Sequence, residues 1–302
     1  MKSARLLLLA FVFLLVFVFS FMWLSNKGVF APRETPFNLA INFSDYWQTG
    51  EAEITSYQLK QARYGEIREG KAVLIYVTEP FNTSEQVKSN KTTGSLPVLK
   101  LNQTRNFLTG IYPYSIMSST FFPLEKKKHA VKVSASIQEW CGQVYSQLNN
   151  RGVFELLSHS YFEGEADQYL EIEPTHLENE LWSIIRLDPL KLPQGSFQII
   201  PSLEYMRLMH IEPMAYQGQG VLRKKNGSYT YTLSYPSLKR ELAITFSEKF
   251  PYEIQSWKET YPSGGAKPEM LESSATKIKR IKTAYWEKNK KNDTYLYHAL
   301  GL

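Results

Sequence analysis

Residues 225–246 (KNGSYTYTLSYPSLKRELAITF) determine the fold class that the sequence predicts. Asn226 and Gly227 are the residues that a two-residue hairpin turn favours, because both tolerate positive φ. After this turn, large apolar residues alternate with Thr and Ser, which is the period of a strand with one buried face. The same period resumes beyond Pro236. This stretch therefore predicts antiparallel strands joined by tight turns.

Strand patterns recur along most of the remaining chain. Residues 72–77 (AVLIYV) form a short apolar run rich in β-branched residues, and residues 130–137 (AVKVSASI) alternate between apolar and polar. Turn residues such as those at 149–152 separate the runs. Because a sheet of many strands must curl or split to avoid long open edges, we expect a mainly β fold with a large bent antiparallel sheet or a partly closed barrel. The pattern leaves open whether this fold has one lobe or two.

One α-helix is predicted to cover the sheet. Thr175 and Glu178 have the spacing of a capping box, and apolar residues follow them at helical period. The pair Asp188-Pro189 predicts the end of the helix. This helix falls within residues 174–193, where a sub-boundary of the domain would lie.

The apolar run Leu6–Leu24 predicts a transmembrane helix. At ~1.5 Å per residue it spans just under the ~30 Å of a bilayer core, and it exceeds the ~7–15 residues of a signal-peptide core. No Ala-x-Ala pattern follows, and Trp23 stands where an interfacial aromatic belongs. With Lys2 and Arg5 on the cytoplasmic side, we expect a single-pass signal anchor in a bacterial inner membrane and a periplasmic domain. The alternative is secretion after signal cleavage.

The patterns divide the chain into an anchor at 1–25, a linker at 26–42, an antiparallel β domain at 43–284 and a short basic C-terminal tail or helix at 285–302. The net charge of +6 is too weak a bias to indicate nucleic-acid binding. The hydrophobic fraction of 43% is that of an ordinary globular chain, so a folded core is expected.

Cys141 is the single cysteine, which excludes an intramolecular disulfide and a multi-cysteine zinc site. It is a candidate reactive thiol, since His129 and His159 lie on strands predicted to be close to it. A lone cysteine is more often a small buried hydrophobe, which is the alternative.

The remaining polar residues predict neither a catalytic constellation nor a metal site. The histidines have no ligand spacing, so we expect no metal and no cofactor; they are His129, His159, His176, His210 and His298. The acidic residues between 163 and 173 lack the spacing of a calcium loop and predict an exposed hairpin.

Aromatic residues supply the best candidate binding surface. Amphipathic rings on one sheet face could line a groove for an apolar or sugar ligand, the alternative being simple core packing. The candidates are Trp47, Trp140, Tyr229, Tyr231, Tyr235 and Trp257.

Several motifs carry a resemblance to a known family: Tyr46-Trp47-x-x-Gly50, residues 62–72 (ARYGEIREGKA), 138–142 (QEWCG) and 259–264 (ETYPSG). Together they resemble uncharacterised exported bacterial envelope proteins that are often labelled septum formation inhibitor Maf. The Maf pyrophosphatases themselves have an N-terminal SPRR motif, whereas this sequence has only Pro32-Arg33, so the resemblance does not imply their activity. A looser similarity to periplasmic lipoprotein-carrier domains implies a fold that can bind acyl chains.

These observations predict a non-enzymatic, membrane-anchored envelope protein whose extracytoplasmic β domain binds a lipid, a glycan or a protein partner. An envelope hydrolase of unknown substrate and a purely structural interaction protein are the alternatives.

Overall fold

The computed structural model describes residues 37–125 and 129–302. The predicted anchor Leu6–Leu24 lies outside these residues. Within the described part, no helix combines the length and the apolar character that a membrane crossing requires.

Strands dominate the described chain. They are β1 Ala52–Arg63, β2 Glu66–Asn82, β3 Val87–Lys88, β4 Leu96–Thr109, β5 Tyr112–Pro123, β6 Lys132–Glu139, β7 Gly142–Asn150, β8 Phe154–Ser160, β9 Asp167–Ile172, β10 His176–Leu177, β11 Gly195–Ile200, β12 Tyr216–Lys225, β13 Ser228–Tyr235, β14 Arg240–Ser247, β15 Ile254–Ser263 and β16 Glu269–Thr283. The α-helices are α1 Phe43–Trp47, α2 Glu178–Leu187, α3 Leu203–Met209 and α4 Tyr295–Ala299.

These strands form one 16-stranded sheet, in the order β10-β11-β12-β13-β14-β15-β16-β1-β2-β4-β5-β6-β7-β8-β9, with β3 paired to β2. Neighbouring strands pair antiparallel, apart from the short parallel pair β10–β11. The pairing of β16 with β1 joins the two halves of the chain. The prediction of a mainly β protein with a large sheet is confirmed, and the sheet is not closed.

The two ends of the sheet come close together. Strand β9 ends at Ile172 and β10 begins at His176, so residues 173–175 connect the last strand of the sheet to the first. An extended chain of this length spans about 14 Å at most. The sheet must therefore bend until its ends approach each other, and its concave face encloses the core.

Helix α2 fills this concave face. All 10 of its residues are buried, including Glu178, Glu180 and Arg186. Its apolar residues pack among the inward side chains of the sheet; Trp182 meets Trp257, for example, with 5.2 Å between the ring centroids. The helix lies where the sequence predicts one.

The predicted cap of this helix is wrong. The helix begins at Glu178, and Glu180 Oε1 accepts the backbone N–H of Leu177 at 3.2 Å. The Thr175 hydroxyl donates instead to the carbonyl of Gln198 at 2.8 Å, because strand β10 carries the chain past β11 before the helix starts.

The C-terminal segment packs on the convex face of the sheet. Leu300, which follows α4, is buried in a small cluster with Ala52, Ile54 and Val77. Its carbonyl also accepts a hydrogen bond from the hydroxyl of Ser56. These contacts cover the middle of the sheet, where β1 and β2 pair.

A buried ion pair connects α2 to β1. Arg186 donates from Nη1 to Glu53 Oε1 at 2.6 Å and from Nη2 to Glu53 Oε2 at 2.8 Å. The guanidinium lies 4.9 Å from the Trp47 ring centroid and 4.7 Å from that of Tyr76. Burial alone would raise the pKa of Glu53, but the charge and hydrogen bonds of Arg186 outweigh it and hold that pKa below its usual value.

Substitution of Glu53 tests this pair. We expect E53Q to lower the free energy of unfolding by about 3–5 kcal/mol, because it leaves the Arg186 charge buried and unpaired. Urea denaturation followed by circular dichroism measures the change. The matched control is E69Q, which removes the exposed Lys60–Glu69 pair (3.8 Å; 56% and 65% of each side chain accessible) and should barely move the midpoint. Equal effects of the two substitutions would contradict this account.

Candidate functional site

The aromatic residues predicted to bind ligand do not share one groove. Trp47, Tyr231, Tyr235 and Trp257 are at most 1% exposed, Tyr229 is half-buried, and Trp140 is 69% exposed. The buried rings are held by protein groups: the Tyr231 hydroxyl donates to the carbonyl of Pro193 at 2.7 Å, for example. Their alternation reflects the concave face of a sheet whose interior is filled by helices.

Cys141 is exposed in the turn between β6 and β7. Its backbone N–H donates to Glu139 Oε2 at 2.7 Å, and hydrogen bonding of the thiol to the same carboxylate raises the pKa of Cys141. A raised pKa reduces the thiolate fraction, which is the opposite of what a nucleophilic cysteine needs. His129 and His159, which the sequence suggested as bases for this thiol, contact other groups. His129 hydrogen-bonds Glu180, and His159 hydrogen-bonds Asp167.

A cluster of buried charges joins α2, α3 and the sheet. Arg240, the first residue of β14, donates from Nη2 to Glu178 Oε1 at 2.6 Å and from Nε to Glu259 Oε1 at 2.8 Å. Arg105 lies 3.6 Å from Glu259 and 3.9 Å from Glu204. We call these five side chains the interior charge cluster. None of its members is more than 7% exposed.

The interior charge cluster contains three carboxyl groups and two guanidinium groups, so the carboxyl groups do not all have an equally close cationic partner. For this reason the pKa values of Glu178 and Glu204 shift in opposite directions. Burial would raise the pKa of Glu178, but the charge and hydrogen bonds of Arg240 prevail and lower it. For Glu204 burial prevails and raises the pKa, because the distant Arg105, the side-chain amide of Asn179 at 3.0 Å and a backbone hydrogen bond do not offset it. Glu204 is thus the carboxyl that most readily keeps a proton, and it attaches α3 to α2.

The opposite side of α3 lines a pocket of about 220 Å³, which we call the α3 pocket. It lies between α3, strands β7 and β8, and the turn at 161–166. Its apolar walls are Val144, Leu156, Leu203, Met206, Ile211 and Pro213. Its main polar groups are Ser146, Ser158, Glu165, Gln168, Arg207, His210 and the second carboxylate, Glu212.

Arg207 is the arginine of this pocket, whose lining also includes the carboxylates of Glu165 and Glu212. It is 6% exposed, and its Nε has no hydrogen-bond partner among the described residues. Its guanidinium lies 4.0 Å from the ring centroid of Phe162. Burial lowers the pKa of Arg207, yet an arginine stays protonated at neutral pH, so the pocket holds a cation with an unused donor.

A chain of hydrogen bonds orients Arg207. Its Nη1 lies 3.3 Å from Nε2 of His210, and because arginine can only donate, this ring nitrogen is the acceptor. Nδ1–H of His210 then donates to Glu165, which also accepts the Ser160 hydroxyl at 2.6 Å. Burial works against ionisation of Glu165, but these hydrogen bonds outweigh it and lower its pKa, so the carboxylate stays charged. His210 can take part because it ends α3 in the left-handed conformation, at φ 52°.

Aliphatic walls around a buried cation suit an anion that has an apolar body. No local pattern indicated this site, since its residues come from β7, β8, β9, the turn at 161–166, α3 and the residues that follow α3. Glu165 was expected in an exposed hairpin, and only the fold turns it toward the pocket.

Comparison with known proteins does not assign this chain to a family. Neither a family model nor a curated protein matches the chain. Among solved structures, a porin-like protein from Bacteroides uniformis ATCC 8492 is similar with a TM-score of 0.21 at 10% identity, covering 76% of this chain and 96% of that chain. A TM-score of this size does not identify a shared fold.

Glu178 and Glu204, two carboxyls of the interior charge cluster, should make contributions to stability that depend on pH in opposite directions. The pKa of Glu178 is lowered, so its stabilisation is present above the unfolded pKa of about 4.5 and is lost as the pH falls through the folded pKa. The pKa of Glu204 is raised, so its contribution is present below about 4.5 and is lost as the pH rises through the folded pKa.

We therefore expect E178Q to lower the free energy of unfolding at pH 7 by about 1–3 kcal/mol, because Arg240 loses one of its two carboxylate partners and keeps Glu259. E204Q should leave it unchanged or raise it at pH 7, with no gain below pH 4. Urea denaturation at pH 4, 5.5 and 7 measures both variants. If E204Q lowered the free energy of unfolding at pH 7 as much as E178Q does, the raised pKa of Glu204 would be contradicted.

Proposed function

We propose that this chain is a non-enzymatic, membrane-anchored envelope protein whose β domain binds a small apolar carboxylate in the α3 pocket. Of the ligand classes that the sequence suggested, this belongs with lipids and acyl chains. The apolar run Leu6–Leu24 supports attachment to a membrane.

The observation that carries the proposal is the unused donor of Arg207. A buried polar group without a partner costs about 1–3 kcal/mol, and more when it is charged. The hydrogen-bonded chain through His210 satisfies Nη1 but leaves Nε unpaired. Less than 1 Å² of this nitrogen is accessible to water, so the guanidinium must turn toward the ligand before a carboxylate in the pocket can accept from it in a charge-assisted hydrogen bond.

The walls of the pocket favour an aliphatic body over a sugar. They contain no Trp, Tyr or Phe ring among the described residues, and six of them are aliphatic or Pro or Met side chains. A sugar would bury hydroxyls that each need a partner, whereas a methylene chain needs none.

The size of the pocket limits the ligand. A cavity of roughly 150 Å³ holds a benzene molecule, so the 220 Å³ of the α3 pocket fits a medium-length acid or the carboxyl end of a longer chain. Octanoate is a suitable probe because 1-octanol has the same chain without the charge.

Titration calorimetry with these two probes tests the function. We expect the full chain to bind octanoate at least tenfold more tightly than 1-octanol, since a hydrogen bond to a charged group contributes about 1.5–3 kcal/mol. R207Q should bind octanoate no better than 1-octanol, and R207K should retain part of the preference.

The matched control is R223Q, which removes an exposed arginine of β12 and should leave octanoate binding unchanged. The denaturation midpoint of each variant verifies that it is folded. Equal affinity for the two probes, or unchanged octanoate binding in R207Q, would overturn the proposal.

A further inference from the structure

Two imidazoles and a carboxylate meet where α2 begins. His129 precedes β6, His176 lies in β10, and Glu180 belongs to the first turn of α2. One potential ligand atom from each residue lies within 4.8 Å of the others. Measured from Glu180 Oε1, the Nδ1 of His129 is at 2.9 Å and the Nδ1 of His176 is at 3.9 Å.

These separations match those of ligands around one small ion. Zinc binds histidine nitrogen at about 2.0–2.1 Å and carboxylate oxygen at about 2.0–2.2 Å, so two ligand atoms of a tetrahedral site lie roughly 3.4 Å apart. The two measured distances bracket this value. The potential ligand atoms of the two histidines are at most 4.8 Å apart, so ion binding requires the three atoms to move closer together.

Helix capping does not account for all three residues. Glu180 accepts the backbone N–H groups of Leu177 at 3.2 Å and Ala130 at 2.8 Å, and these two bonds complete the cap. His129 is 3% exposed, and its second nitrogen, Nε2, has no hydrogen-bond partner among the described residues. The nitrogen that faces Glu180 is Nδ1, so the unpaired Nε2 lies outside the group of potential ligand atoms measured above.

The surroundings hold the three side chains in place. Phe154 packs edge-on against His129 at 5.7 Å between centroids, and Phe197 packs edge-on against His176 at 5.2 Å. The N–H of Ala130 holds the carboxylate of Glu180 through Oε2, the kind of outer hydrogen bond that orients metal ligands.

We propose that His129, His176 and Glu180 bind one divalent transition-metal ion, with Zn²⁺ as the ion whose ligand preferences they fit best. Two imidazoles, one carboxylate and one water form a ligand set that zinc commonly takes. This site replaces the expectation that the histidines bind no metal. It lies at the start of α2, and it does not depend on the ligand of the α3 pocket.

Metal titration of the untagged full chain, stripped with chelator, tests the site. Calorimetry with Zn²⁺ should give one ion per chain, and Co²⁺ should give the intense visible absorption of a tetrahedral complex. H176Q should weaken Zn²⁺ binding at least tenfold. His176 is the ligand to replace because its side chain is 33% accessible, so its loss should least disturb folding.

The matched control is H159Q, which removes a histidine beside a carboxylate on the surface: Nδ1 lies 2.9 Å from Asp167, and 59% of the side chain is accessible. Its Zn²⁺ affinity should equal that of the unmodified chain, and the Co²⁺ spectrum of the unmodified chain is a readout that requires no variant. Absence of binding, a Co²⁺ spectrum without tetrahedral bands, or H176Q affinity equal to that of H159Q would overturn the proposal.

Discussion

The burial of α2 is the constraint on which the rest of the structure depends. A helix enclosed on every side must pair each of its charged side chains inside the protein, because unpaired buried charges cost several kcal/mol. Glu178 pairs with Arg240 on β14, and Arg186 pairs with Glu53 on β1. Glu180 accepts a hydrogen bond from the backbone of the segment before β6. These partners come from distant parts of the sheet, so the helix and the curvature of the sheet determine each other.

The same constraint explains which features the sequence could predict. The alternation at Tyr229–Tyr235 identified strand β13, and the apolar period after Thr175 identified helix α2. Those signals are local. The period of a strand shows which face is apolar but not that this face is concave, so the rings of Tyr231 and Tyr235 suggested a groove although they are buried. Charged residues on a helix ordinarily predict a solvated face, and nothing local distinguishes Glu178 or Arg186 from such residues.

Both proposed sites are consequences of this arrangement. Glu204 and Asn179 attach α3 to α2, and the opposite side of α3 presents Arg207 to the α3 pocket. At the start of α2, Glu180 stands between two histidines that are far apart in sequence. Neither site has a contiguous motif, which is why residue spacing alone indicated neither the metal site nor the α3 pocket. Burying so many ionic groups adds little net stability compared with an apolar core, and we expect its main effect to be that few alternative packings of the helix remain.

Hydrogen exchange tests the central claim that α2 and the sheet form one cooperative unit. The backbone amides of residues 182–187 donate within α2, which lies wholly inside the curved sheet, so they should exchange only when the whole domain unfolds. Native-state exchange of the full chain in increasing urea should give these amides the same opening free energy as the central strands β1 and β2, and the same dependence on urea. Exchange of α2 at a markedly lower free energy, with β1 and β2 still protected, would show a helix that leaves an intact sheet and would contradict the account.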